Sequence, residues 1–328
     1  MQQIEIGENE AGQRLDKFLQ KFMPLAPSSF FYKMLRKKNI TLNGKKAEGK
    51  EKLALGDKIS FYLADETIAG FCDKPGKGET INEYQAAYRK FKEITVVYED
   101  AHVIIMNKPK GILSQKANPD DISLNEWMLG YLLEKGSLKE NQLSTFKPSI
   151  CNRLDRNTSG LVIGAKSLQG SQLMNELIRS RGVRKFYRMF VKGKIVGEET
   201  LEGFLIKDQK SNKVHLVKEG TDRGAYIKTR YYPVREFKDR TLVEAELITG
   251  KPHQIRIHMA SIGHPLLGDY KYGDRDFNDS YKKQFSIDSQ MLHAYRLNFP
   301  KLETPLEQLS EKVVEAPLPE EFQQLTEG

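Results

Sequence analysis

Asn152-Arg153-Leu154-Asp155-Arg156-Asn157-Thr158-Ser159-Gly160, with the apolar run Leu161-Val162-Ile163-Gly164-Ala165 behind it, is the stretch on which the fold is read. It sets one carboxylate between two guanidinium side chains, then small polar turn residues, then a strand-forming run. A loop of this kind delivers an acid to the lip of a buried strand. Fixed positive charge beside a carboxylate favours its ionised form, which suits a nucleophile or a base. A structural aspartate that caps the turn and pairs with arginine fits the same nine residues.

Short elements of both kinds surround this stretch. Residues 94–98 and 102–106 are β-rich runs separated by Glu99-Asp100-Ala101, and the second stops at Asn107-Lys108-Pro109-Lys110-Gly111. Ser123 and Glu126 form a capping box for a helix carrying Trp127, Met128, Tyr131, Leu132 and Leu133, which Gly136 closes. Further strands are predicted at 160–165, 183–192 and 242–248. There is no regular βαβ alternation and no glycine-rich phosphate loop, so the expected class is α+β, on a mixed and largely antiparallel sheet. In Val183-Arg184-Lys185-Phe186-Tyr187, a strand puts Lys185 and Tyr187 on one face. After Thr249-Gly250-Lys251, Pro252 is predicted as the first helical residue, Ile255, Met259 and Ile262 as the buried stripe, and Gly263 and Pro265 as the stop. Arg256 falls beside the stripe. His253, His258 and His264 are five and six residues apart with no acid or cysteine cluster, so no metal site is expected.

The 328 residues suggest two domains. Between Arg14 and Lys58 stand twelve Lys or Arg against four Asp or Glu, an excess equal to the net charge of the whole chain, +8. Basic residues gathered in one short segment point to a polyanion. There, Leu15, Phe18, Leu19 and Phe22 mark one helix and Phe31, Met34 and Leu35 a second. Lys33, Arg36, Lys37 and Lys38 lie largely off the apolar stripe of the second helix, and a short strand at 40–42 leads through Asn43-Gly44 to Lys45 and Lys46. Residues 65–90, with Gly70, Gly76 and Gly78, read as a linker. Two distant cysteines, Cys72 and Cys151, and a polar, acidic N-terminus give the expectation of a reduced, cytoplasmic protein without a membrane span.

Taken together, residues 152–160 resemble the H-R-L-D-x-x-T-S-G signature of RluA-type pseudouridine synthases, with Asn152 in place of the family's histidine. Asn107 to Gly111 resembles the family's NKPxG loop, and Lys185-Phe186-Tyr187 its K-x-Y element. Residues 249–258 resemble TGRxHQIRxH, with Lys251 replacing arginine. Residues 12–64 resemble an S4-type RNA-binding domain. The resemblance implies an S4-like domain over 12–64, the linker over 65–90 and a catalytic domain over 91–325. It also implies a cofactor-free isomerase of uridine in RNA, most fittingly large-subunit ribosomal RNA, acting as a monomer. Asp155 is then the catalytic group, either adding covalently or removing a sugar proton. Tyr187 stacks on the base and Arg256 pairs with Asp155. Arg153, Lys185, Lys251 and His253 contact RNA, as do Lys33, Arg36, Lys37, Lys38, Lys45 and Lys46. A non-catalytic RNA-binding or ribosome-assembly protein, and a synthase acting on transfer RNA, are the alternatives.

Overall fold

The computed structural model describes residues 2–7, 10–72, 81–208, 214–222 and 224–327. The N-terminal part is built from β1 (Gln2–Glu5), α1 (Leu15–Phe22), α2 (Ser28–Arg36), β2 (Ile40–Leu42), β3 (Lys58–Phe61) and α3 (Asp65–Phe71). Its three strands form an antiparallel sheet in the order β1-β3-β2. Leu15, Phe18, Leu19, Phe31, Met34 and Leu35 pack onto Ile40, Ile59 and Phe61 in a core of their own. The two helices and the hairpin are thus as predicted. The sheet also recruits β1, which lies ahead of residue 12; Ile4 and Ile6 supply its apolar side.

The stretch expected to be a linker carries two helices. Ile68 of α3 is buried in the N-terminal core, with Phe71 and Cys72 packed against it. On the far side, α4 (Ile81–Lys90) docks on α5 (Leu124–Glu134). Tyr84, Ala87, Tyr88 and Phe91 recur at i, i+3, i+4 and i+7, and this period is the physical reason a helix forms there. The Trp127 indole Nε1 donates to the Phe91 carbonyl at 2.8 Å and locks the pair. Residues 73–80, including Gly76 and Gly78, lie outside the described residues.

The larger part is organised around a sheet of eleven described strands. They are β4 (Thr95–Glu99), β5 (Val103–Lys108), β6 (Ser149–Ile150), β7 (Ser159–Ala165), β8 (Arg184–Lys192), β9 (Glu199–Lys207), β10 (Val214–Val217), β11 (Ala225–Glu236), β12 (Arg240–Leu247), β13 (Leu292–Asn298) and β14 (Val313–Glu315). The main path is β10-β9-β11-β12-β8-β13-β7-β5-β4, with β6 beside β7 and β14 beside β13. Every described pairing is antiparallel except β13 with β7. The mixed, largely antiparallel sheet read from the sequence is therefore present. Helices α4, α5 and α7 (Gln254–Ser261) cover one face, where Met106, Val162, Tyr187 and Met189 meet Trp127, Met128 and Ile255. Helix α6 (Leu168–Arg179) lies on the other face, where Met174 joins Val103, Ile105, Leu161 and Ile163. Helices α8 (Arg275–Phe285) and α9 (Glu320–Glu327) close a further cluster around Phe190. Among the described residues no helix is long and apolar enough to cross a membrane.

Candidate active site

The loop carrying Asp155 is fastened residue by residue. Asn152 Oδ1 accepts from the Ile163 amide at 2.8 Å, so the residue standing in for histidine ties the loop to its own strand β7. Ser114 Oγ donates to the Leu154 carbonyl at 2.8 Å and accepts from its amide at 3.0 Å, clamping the residue next to the acid. The Arg156 carbonyl accepts from the Gly111 amide and from Lys108 Nζ, at 2.9 and 3.1 Å. A tight turn, Thr158 amide to Asp155 carbonyl at 3.0 Å, completes the loop. The carboxylate is left partly open, with 28% of its side chain exposed. A loop held this firmly does not need to be ordered when a ligand arrives.

Neither neighbouring arginine supplies the positive charge. Arg153 is exposed, and the exposed Arg156 donates from Nε to the Gly111 carbonyl at 3.1 Å. The cation at Asp155 comes from α7, where Arg256 Nη1 stands 3.4 Å from Oδ2. The expected pairing of Arg256 with Asp155 is thus observed. Arg256 is itself gripped by Asp269, whose oxygens accept from Nε at 2.7 Å and Nη2 at 2.8 Å. Asp269 is 1% exposed and also accepts the amides of Lys271 and Tyr272. Burial pushes the Asp269 carboxyl up, but Arg256 and these amides outweigh it and hold the group below the usual carboxylate range. Burial likewise opposes the Arg256 charge, and Asp269 and Asp155 together hold it above its ordinary value. The resulting line of charge, Asp269–Arg256–Asp155, presents an oriented carboxylate. A bidentate fork on Asp269 fixes the guanidinium plane and hence the direction of the contact to Asp155.

The start of α7 departs from expectation. Pro252 lies in the preceding turn, and His253 is the N-cap in a left-handed conformation, φ 56° and ψ 14°. The Gln254 side chain holds this turn in place of a proline at the first helical position. Its Oε1 accepts from Thr249 Oγ1 and the Lys251 amide, and its Nε2 donates to the Lys228 carbonyl and Thr229 Oγ1. The helix also buries more than one stripe. Ile255 and Met259 face the main core, while Ile257 faces Leu205, Val214 and Ile227. His258 is buried too, with Nδ1 2.9 Å from Thr229 Oγ1, and burial pushes it down to about 4. Among the described residues no three His, Cys, Asp or Glu gather as a metal site.

Tyr187 reaches the same place from β8, between Ala245 on β12 and Ala294 on β13. Its phenol is pushed well above its ordinary value, first by burial and then by the charge of Asp155, so it stays neutral. Lys185 lies two residues away on the same face and is 9% exposed. Burial, then the charge of Arg181, lowers its ammonium. His253 Nε2 is 3.9 Å from Asp155 Oδ2, and its Nδ1 is 2.8 Å from the Tyr272 hydroxyl. Lys251 is exposed on the adjoining turn. Lys33, Arg36, Lys37, Lys38, Lys45 and Lys46 are exposed on the N-terminal part, and none pairs with an acid among the described residues. Asp269, Tyr272 and Ser114 were not anticipated as site residues. Residues 268–273, which hold Asp269 and Tyr272, also resemble family elements but read as mainly structural; the signal for a site role was chemical, since a buried guanidinium needs more acceptors than a single carboxylate provides.

A model of the RNA pseudouridylate synthase family matches residues 102–261, a span that includes Asp155, Tyr187, His253 and Arg256. The chain is 31% identical over 315 residues to the ribosomal large subunit pseudouridine synthase C of Vibrio cholerae serotype O1, covering 94% of this chain and 92% of that relative. It is equally 31% identical over 307 residues to the protein of the same name from Buchnera aphidicola subsp. Schizaphis graminum, covering 92% and 90%. Among solved structures, human RNA pseudouridylate synthase domain containing 4 superposes with a TM-score of 0.57 at 21% identity, over 74% of this chain and 95% of that one. This last likeness concerns the fold. With a full-length relative above 30% identity, the chain belongs to the RNA pseudouridylate synthases, isomerases that act on uridine within RNA.

Proposed function

We propose that this protein converts uridines of large-subunit ribosomal RNA to pseudouridine, with Asp155 as the reacting carboxylate. The observation that carries the reading is the Asp269–Arg256–Asp155 line, which keeps one oriented carboxylate open at the end of a rigid loop. The ribosomal substrate rests on the names of the full-length relatives. The reaction breaks the N1–C1′ bond and makes a C5–C1′ bond; a proton leaves C5 and one arrives at N1. A stacked uridine is out of reach of Asp155, so the target is flipped into the site. There Tyr187 offers aromatic surface to the base. Arg153 occupies the space the base leaves, and Lys185, Lys251 and His253 contact the flipped nucleotide or its backbone. Residues 12–64 act as an S4-like RNA-binding domain through Lys33, Arg36, Lys37, Lys38, Lys45 and Lys46. The protein works as a monomer in the cytoplasm.

Pseudouridine maps of ribosomal and transfer RNA from cells with and without this protein test the substrate. The expected result is loss of specific pseudouridines in large-subunit RNA; loss confined to transfer RNA would overturn the substrate assignment. Purified Asp155→Asn should make no pseudouridine on an RNA that wild type modifies. An active Asp155→Asn protein would remove Asp155 from the chemistry.

A further inference from the structure

The isomerisation needs a group that takes the C5 proton once C5 has bonded to C1′. A side chain beside Asp155 that faces the same opening and carries a basic lone pair fits this task. His253 is the ring so placed. Nε2 is 3.9 Å from Asp155 Oδ2, too long for a firm hydrogen bond, and so free to meet a ligand that lies against both groups. The other nitrogen is engaged: Nδ1 stands 2.8 Å from the Tyr272 hydroxyl oxygen, which also accepts the Val214 amide at 3.1 Å. The two rings meet edge to face with centroids 5.5 Å apart. The contact at Nδ1 orients the ring and aims the other nitrogen.

The backbone supports the same assignment. His253 is a non-glycine residue in the left-handed region at the N-cap of α7, and its side chain makes no capping bond. Strain of this kind is sustained where the surrounding structure enforces it, and here the Gln254 contacts do so. The strained backbone points the ring at Asp155 instead of letting it cap the helix.

We propose that His253 is the catalytic base for C5. With hydrogen on Nδ1 donated to the Tyr272 oxygen, the Nε2 lone pair takes the C5 proton as the C5–H electron pair restores the aromatic uracil ring. The imidazolium is stabilised by the Asp155 side of the site, and water then takes the proton from it. Another proton from water satisfies N1, so atoms and charge balance with no other reactant. The groups that face His253 are Asp155 on its loop, Arg256 on its own helix, and Asp269, Lys271 and Tyr272 on the segment that follows. Burial disfavours its charged form, with Arg256 and Lys271 in the same direction and Asp155 and Asp269 against.

The inference rests on Asp155 being the reacting carboxylate, so Asp155→Asn is assayed alongside; activity in that variant overturns the site itself. The test proper is His253→Gly, because glycine adopts this backbone without strain and leaves a ring-sized gap. Single-turnover rates are measured on RNA with hydrogen or deuterium at C5 of the target uridine. Turnover is expected to fall about a hundredfold, the C5 isotope effect to rise above its wild-type value, and added imidazole to restore part of the rate. RNA affinity, measured separately, is expected to stay within about threefold, a change worth well under 1.4 kcal/mol. A C5 isotope effect that remains at the wild-type value overturns the proposal and leaves His253 as a binding contact, whatever happens to the rate.

Discussion

Lys108 is fully buried, and its ammonium nitrogen donates to three carbonyls, those of Pro109, Ile112 and Arg156, at 3.0, 2.9 and 3.1 Å. Through the last of these it holds the loop that carries Asp155. Burial pushes this lysine down to about 7, with Asp155 pulling part of the way back. In the unfolded chain a lysine titrates near 10.4. Between about 7 and 10 the unfolded chain therefore holds the extra proton, and stability rises with pH through that window. Urea unfolding of wild type and Lys108→Met at pH 7, 8, 9 and 10 reads this directly. The difference in favour of wild type is expected to grow with pH, by at most about 1.4 kcal/mol per unit; a flat or falling difference would contradict the burial argument. At this scale the sequence exposed the reacting group but not its supports. Asp155 stood out by its loop, and Arg256 by the resemblance. Asp269 and Ser114 answer needs that arise only once Arg256 and the Leu154 backbone are buried, and no local spacing encodes them. The flanking arginines misled because adjacency in sequence put their side chains outward.

Strand β7 begins directly after the Asp155 loop, and its partner β13 runs parallel to it, unlike the other described pairs. Gly160 sits at this junction with φ 112°, and a Cβ there would lie 2.2 Å from the Ala294 carbonyl oxygen and 2.5 Å from its nitrogen. Both atoms are backbone and cannot swing aside. Gly160→Ala is expected to force β7 from β13 and to destabilise the protein by about 3 kcal/mol, read as a lower urea midpoint, with activity falling in the folded fraction as the loop shifts. Unchanged stability would mean the strands tolerate more separation than the geometry allows. Strands with apolar runs, such as β5 and β7, were legible because they are covered on both faces. Strand β11 was harder: Ile227, Thr229 and Tyr231 are buried in alternation, yet charged and polar residues between them blur the signal. Helix α4 was legible in principle through Tyr84, Ala87, Tyr88 and Phe91, but the glycines ahead of it dominated the reading of 65–90 as a linker.

At the scale of the molecule, charge and chemistry occupy different places. The six exposed cations from Lys33 to Lys46 belong to the part built on the small three-stranded sheet, while the Asp155 site belongs to the large one. The two parts touch where Thr145 Oγ1 donates to the buried Glu10 at 2.6 Å. A basic surface joined to a separate reaction site makes sense if the first collects a long polyanion and the second selects one uridine from it. This division predicts how affinity responds to salt. For every phosphate that the protein no longer neutralises, the plot of log affinity against log salt becomes shallower by about 0.7 to 0.9. Arg36, Lys37 and Lys38 lie at the exposed end of α2, away from the core formed by Phe31, Met34 and Leu35, so replacing all three with alanine leaves packing intact. The triple variant of the full chain is expected to bind ribosomal RNA fragments more weakly at about 50 mM salt. Its salt dependence should be shallower by about two of those steps, with the difference from wild type narrowing as salt rises. Filter binding at three salt concentrations measures both quantities. If affinity and slope match wild type, these cations face solvent rather than phosphate, and recognition falls to the cations around Asp155.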